Sequence, residues 1–149
     1  MTGRTARRRW ICESEEQTEA AGREIAHELS EDAVVFLVGD LGVGKTTLVR
    51  AIAAELGADA LEITSPTFAI VHEYPRAGRS AIIHIDGYRL TEKPDEWQRI
   101  GIPELLRSEG LKMIEWPKEG FTRFAPASAE IRMEMGTGES RTIDLTIES

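Results

Sequence analysis

The residues Gly39-Asp40-Leu41-Gly42-Val43-Gly44-Lys45-Thr46 have the types and spacing of a phosphate-binding loop, G-x-x-x-x-G-K-[ST]. Glycines let a backbone close around phosphate oxygens with its N–H groups pointing inward, and a helix starting there adds positive potential. In that chemistry Lys45 reaches the β- and γ-phosphates and the Thr46 hydroxyl ligates Mg²⁺, while Gly39, Asp40, Gly42, Val43, Gly44 and Thr47 complete the cradle. The flanks argue against a chance match. Ala33–Val38 is a short apolar, β-rich run, and after the loop Leu48, Ala51, Ile52 and Leu56 share one helical face that Gly57 closes. The expected ligand is a nucleoside triphosphate.

A phosphate loop also needs a carboxylate on the metal side, usually where a neighbouring apolar strand ends. Ala81-Ile82-Ile83-His84-Ile85-Asp86 has that form, with His84 and Asp86 on one face and Ile83 and Ile85 on the other. Asp86 is the expected metal-side acid, against the simpler reading of a turn or N-cap aspartate. His84 reads as a hydrogen-bonded structural residue rather than a ligand. A second strand delivers Glu115, followed by Trp116-Pro117. Glu115 can position or deprotonate an attacking water or share the Mg²⁺ shell, with Trp116 as an apolar wall; a packed strand exit is the alternative. Between loop and Asp86, Ser65 and Thr67 are hydroxyls placed where other phosphate-loop proteins sense the γ-phosphate, or else part of an ordinary Ser-Pro turn.

Several elements must hold these groups. Ser14-Glu15-Glu16-Gln17 has capping-box form and opens a helix with Thr18, Ala21, Ile25 and Leu29 on one face. Phe68–Tyr74 and Ala81–Asp86 read as strands around a Pro75–Gly78 turn, Lys93–Arg99 and Pro103–Arg107 as short helices parted at Gly101, and Leu111–Glu115 as a strand. Alternating Ile131, Met133, Met135 and Ile143, Leu145, Ile147 flank Gly136-Thr137-Gly138, a β-hairpin. The expectation is an α/β fold, a P-loop NTPase-like three-layer sandwich whose central mixed β-sheet is parallel near the loop and antiparallel at its margins.

Composition bounds the function classes. A length of 149 residues suits one domain, and 41% hydrophobic and 30% charged residues are ordinary for a globular protein. The net charge of −8 argues against a surface devoted to nucleic acid. Cys12 is the only cysteine, which excludes a disulfide framework and a zinc cluster and reads as a small core or edge residue. No apolar run has the length of a membrane span or follows the basic start as in a signal peptide, so cytoplasm is the expected location. Arg4, Arg7, Arg8 and Arg9 form the one basic cluster, read as a solvated chain end leading into an edge strand in preference to a patch for RNA or an acidic partner.

Taken in order, Gly39-Asp40-Leu41-Gly42-Val43-Gly44-Lys45-Thr46-Thr47, Ser65-Pro66-Thr67-Phe68, His84-Ile85-Asp86-Gly87-Tyr88-Arg89-Leu90 and Ile114-Glu115-Trp116-Pro117 resemble the TsaE (YjeE) ATPase family, from about Glu15 to the C-terminal hairpin. The resemblance implies an ATP- and Mg²⁺-dependent ATPase serving threonylcarbamoyl modification of the adenosine beside the anticodon in tRNAs reading codons that begin with A. It also implies work with a TsaB–TsaD pair, in which TsaD transfers the group, and indirect contact with tRNA. By the same resemblance Lys45 and Thr46 take phosphate and Mg²⁺, Ser65 and Thr67 a switch-like loop, and Asp86 and Glu115 the metal and water. Trp116 lies close to the nucleotide, while Glu15, Thr18 and Gly138 flank the adenine. One departure is Gly87, where the family usually has a larger apolar residue; a looser strand exit beside Asp86 is expected.

Two other classes remain open at this stage. A GTPase-type switch reads guanine with [NT]-K-x-D, and Glu92-Lys93-Pro94-Asp95 lacks the first residue and a preceding strand. A small-molecule kinase needs an arginine-bearing lid, and Arg89, Arg99 and Arg107 form no compact one in sequence.

Overall fold

In the computed structural model, which describes residues 5–40, 42–59 and 70–148, every strand belongs to one sheet. The strands are β1 (Thr5–Cys12), β2 (Val34–Val38), β3 (Val71–Arg76), β4 (Arg79–Asp86), β5 (Lys112–Glu115), β6 (Ala129–Met135) and β7 (Arg141–Glu148), and the helices α1 (Glu15–Ala26), α2 (Lys45–Glu55), α3 (Pro94–Ile100) and α4 (Ile102–Arg107). Their order is β1-β7-β6-β2-β5-β4-β3. Strand β2 is parallel to β5 and β6, and β4 to β5; the pairs β1–β7, β6–β7 and β3–β4 are antiparallel. The mixed sheet is therefore parallel at the loop and antiparallel at both margins, as the apolar runs and hairpin suggest.

Strand alternation builds two cores. Val35 and Leu37 of β2 join Ile82, Met113, Ile131 and Leu145 beneath α1 and α2. Val34, Ile83, Ile85 and Ile114 face the other way, onto Trp97, Ile102, Leu106 and Phe121. Ser14 caps α1, its hydroxyl accepting from Gln17 N at 3.1 Å, while Gln17 Oε1 accepts from Glu13 N at 2.7 Å, one residue before the N-cap. The buried stripe of α2 is Leu48, Val49, Ile52 and Ala53, rotated from the expected one. Ala51 is half-buried and packs against α1 at Gly22, where a Cβ would lie 2.7 Å from that of Ala51.

Two local expectations are corrected. Strand β3 does not stop before Pro75 but runs through it to Arg76, with a register shift between Tyr74 and Arg76. On this margin strand a residue without an N–H costs no ladder bond on its outer side. Arg7, Arg8 and Arg9 form part of an edge strand instead of leading into one, while Arg4 lies outside the described residues: Arg8 lies over the Trp10 ring at 4.5 Å and bonds Glu28 at 2.8 Å, and Arg9 bonds Asp144 at 2.6 Å. Cys12 is buried, and burial pushes its thiol pKa up, away from nucleophilic use. No helix among the described residues is long and apolar enough to cross a membrane.

Candidate functional site

Register brings the chemistry to one edge of the sheet. Leu37, Glu115 and Asp86 are cross-strand neighbours, because β2, β5 and β4 run in parallel and end in step. The phosphate loop leaves β2 immediately above that row. The hairpin β6–β7 turns back at the same edge, since β6 is parallel to β2, and there Arg141 opens β7 opposite Met135. Strand β1 pairs Cys12 with Arg141, which sets the start of α1 and Glu15 beside the loop.

The result is a cleft of about 580 Å³, within the usual size of a small-ligand site, lined by Glu15, Gly42, Gly44, Lys45, Thr46, Thr47, Asp86, Tyr88, Arg89, Glu115, Trp116 and Arg141. Gly44 precedes α2 at φ 104°, a left-handed conformation, and a Cβ there would lie 2.5 Å from Arg141 Nη1. Glycine is required by the conformation, while the arginine tip beside it marks how closely that side chain approaches the loop. Arg141 Nε is buried with no hydrogen-bond partner among the described residues. Sequence reading missed this residue, because only the strand order carries the start of β7 to the loop.

Lys45 is 5% exposed, and its ammonium donates to Gly39 O at 2.5 Å while sitting 3.7 Å from the Trp116 ring centre. Burial lowers its pKa, and the carboxylates of Glu115, Asp86 and Asp40 push it back up. Trp116 holds this position in the left-handed region, φ 55°, a conformation that costs a bulky residue roughly 1–2 kcal/mol. Tyr88 meets its ring edge-on at 5.2 Å. Gly87 corrects the expected loose strand exit: it is buried, and a Cβ there would lie 2.1 Å from Trp116 O. The small residue permits backbone contact between the turn Gly87–Arg89 and the Trp116 segment, so the exit is tight.

Asp86 caps that turn, Oδ1 accepting from Tyr88 N at 3.0 Å, and still lines the cleft. The cap reading of Asp86 is the one its hydrogen bond shows. Glu115 is 7% exposed, its Oε2 2.5 Å from His84 Nε2; His84 Nδ1 lies 2.8 Å from Tyr74 Oη. His84 has the hydrogen-bonded character expected of it.

Other expected site residues fall elsewhere. Gly39, Asp40 and Val43 line the opposite flank of the loop, with Val43 fully buried. Thr18 is 0% exposed and its hydroxyl donates to Ser14 O at 3.3 Å. It is not at the cleft, because the periodicity that aligns it with Ala21 and Ile25 turns it into the core. Gly138 sits in the hairpin turn at φ 64° with open space around it, and Arg141, three residues on, is the part of that hairpin lining the cleft. Ser65 and Thr67 lie outside the described residues.

The family model of the threonylcarbamoyl adenosine biosynthesis protein TsaE matches residues 12–143, which include all these elements except most of β1 and most of β7. The chain belongs to the TsaE family. Among relatives, the tRNA threonylcarbamoyladenosine biosynthesis protein TsaE of Rickettsia bellii is 34% identical over 93% of this chain and 94% of its own. The protein of that name from Synechocystis is 38% identical over 68% of this chain, and the match spans 64% of the relative's length. The crystal structure of Bacillus subtilis YdiB superposes with a TM-score of 0.71 at 25% identity, covering 97% of this chain and 87% of that one. The TsaE assignment thus agrees with the α/β sandwich and mixed sheet, and it spans both the loop and the hairpin that carries Arg141.

Proposed function

We propose that this chain binds ATP with Mg²⁺, hydrolyses it slowly when alone, and serves tRNA threonylcarbamoyladenosine biosynthesis together with a TsaB–TsaD complex in the cytoplasm. The observation carrying this reading is the convergence of Lys45, Arg141, Asp86 and Glu115 on one cleft at the phosphate loop, in a chain of the TsaE family.

The chain's own groups suit the task. Lys45, already desolvated, would exchange the Gly39 carbonyl and the Trp116 face for phosphate oxygens, a stronger partner for a buried ammonium. Arg141 brings a second cation to the same loop. No cluster of three or more His, Cys, Asp or Glu among the described residues could hold a metal unaided. That donor set fits Mg²⁺, which keeps waters and phosphate oxygens and takes few protein ligands. Thr46, with Asp86 and Glu115, would hold it, and when bound it would neutralise charge developing on the phosphates. Glu115, a buried carboxylate beside the lysine, would orient or deprotonate the attacking water. Tyr88 and Arg89 follow Asp86 directly and line the cleft, and Tyr88 is 54% exposed. They connect the nucleotide site to a surface that a partner can read.

Purified protein should turn over ATP slowly with no phosphoryl acceptor and without competition from GTP. On size-exclusion chromatography it should co-elute with the cognate TsaB–TsaD pair only in certain nucleotide states, with ATP turnover altered in the complex. Absence of association with ATP, ADP and a non-hydrolysable analogue alike would overturn the tRNA-modification reading.

A further inference from the structure

Glu115 does not stand alone in the fold. Tyr74 of β3, His84 of β4 and Glu115 of β5 come from three adjacent strands and project on one face of the sheet, at 2%, 5% and 7% exposure. Their polar atoms form one line: Tyr74 Oη to His84 Nδ1 at 2.8 Å, and His84 Nε2 to Glu115 Oε2 at 2.5 Å. The His72 ring lies 5.6 Å from that of His84 and closes the outer flank. This line ends at the cleft, next to the lysine of the phosphate loop.

Such an arrangement is costly unless every member is satisfied, and satisfaction dictates the proton positions. An ionised Glu115 carries no proton, so the hydrogen on the short bond must sit on His84 Nε2. In the neutral imidazole Nδ1 is then an acceptor, and the Tyr74 hydroxyl donates to it. The tyrosine thereby selects the imidazole tautomer, and the imidazole holds one carboxylate oxygen, leaving Oε1 as the oxygen free for chemistry in the cleft. A glutamate otherwise has three side-chain torsions to order before each turnover.

We infer that His84 is a positioning residue for ATP hydrolysis, holding the Glu115 carboxylate in its working orientation through Nε2–H, with Tyr74 fixing the tautomer. This rests on the ATPase reading above and adds to it residues that do not line the cleft. A purely structural histidine on the same strand would affect stability and spare turnover in variants that stay folded.

The test measures kcat and, separately, ATP affinity by calorimetry for Tyr74→Phe, His84→Ala, His84→Gln and Glu115→Ala, with the double variant His84→Ala/Glu115→Ala. His84→Ala should lower kcat about 10- to 100-fold, the range found when a group orienting an active-site ligand is lost, with ATP affinity unchanged. Tyr74→Phe keeps the ring's shape and should lower kcat about three- to tenfold, one hydrogen bond's worth. His84→Gln offers an amide N–H near the place of Nε2 and should recover part of the loss. His84→Ala should add nothing in the Glu115→Ala background. Independently of activity, ¹⁵N spectra of the imidazoles should show His84, assigned by loss of its signals in His84→Gln, as the Nε2–H tautomer. Normal kcat in both His84→Ala and Tyr74→Phe beside an inactive Glu115→Ala would overturn the positioning role and leave the ATPase reading intact, as would additive losses or an Nδ1–H tautomer. Normal hydrolysis by Glu115→Ala would overturn the role of Glu115 itself, and the positioning role with it.

Discussion

Two lysines are buried among the described residues, at opposite ends of the central strands, and their surroundings differ in kind. Lys112 opens β5, and its ammonium donates to the Asp32 carbonyl at 3.1 Å and, more closely, to that of Ser108. The Asp32 carboxylate is occupied nearby, Oδ1 accepting from Gly110 N at 2.7 Å. Lys45 stands where β2 gives way to α2, on one carbonyl and one aromatic face, with three carboxylates acting on it. Burial lowers the pKa of both. The first lysine staples a loop to the sheet through two backbone carbonyls. The second has one carbonyl and a ring face and lines a cleft, where on the proposed reading phosphate oxygens would replace them. Burial of a charge by itself marks neither structure nor function; what separates the two is whether a ligand can reach the ammonium.

The largest expected effect would break the comparison from the nucleotide end. Lys45→Ala should weaken ATP binding at least about thirtyfold by calorimetry, since truncating one member of a buried charge pair costs roughly 2–5 kcal/mol. Urea unfolding of the same variant should change by about 1 kcal/mol or less, because the desolvation cost disappears with the ammonium. Retained affinity would place Lys45 in the same structural class as Lys112.

Glu115→Ala and Asp86→Ala should still bind ATP but lose at least about a hundredfold in hydrolysis, the lower end for a positioned acid or base. Normal turnover by Glu115→Ala would make Glu115 a structural strand end.

At the other end, Lys112→Met should lower the unfolding free energy in urea by about 1–3 kcal/mol, because two buried carbonyls lose their donor, and should leave ATP affinity and kcat unchanged. A loss of ATP binding in a folded Lys112→Met protein would erase the distinction.

The smallest effect is in pH dependence. The folded pKa of Lys112 lies below the ordinary 10.5. Between those two values the unfolded chain holds the proton and the folded one does not, so stability rises with pH across that window. The penalty for charging the buried amine is fully present below the lowered pKa and gone above 10.5. Wild type should therefore gain on Lys112→Met through this window, at no more than about 1.4 kcal/mol per pH unit, measured by chemical denaturation at a series of alkaline pH values.

The lysines also show what was legible before folding. Lys45 announces itself, because its neighbours Gly44 and Thr46 form a contiguous motif whose geometry is local to a loop and one helical turn. Lys112 does not: nothing within its own strand marks it, and its ammonium is held jointly by the nearby Ser108 carbonyl and by that of Asp32, 80 residues away in the chain. Asp86 and Glu115 were readable as strand-end acids for the same local reason. Their shared row was not, because Asp86 faces Glu115 through the pairing of β4 with β5. Thr18 shows how a local signal can be read both ways, since helical spacing that brings it near the start of α1 also sends its side chain inward.

Local chemistry alone therefore determined the phosphate loop, the strand and helix around it, the cap of α1, the C-terminal hairpin and the alternation that builds two cores, since each depends on residues within a few positions of one another. Tertiary structure decided the rest. It placed Arg141 against Gly44, folded Lys45 onto Trp116, packed Gly87 under the Trp116 carbonyl and aligned Tyr74, His84 and Glu115 across three strands. Each of those contacts follows from strand order and register, which are set by how the whole sheet buries its apolar surface and which no single segment encodes.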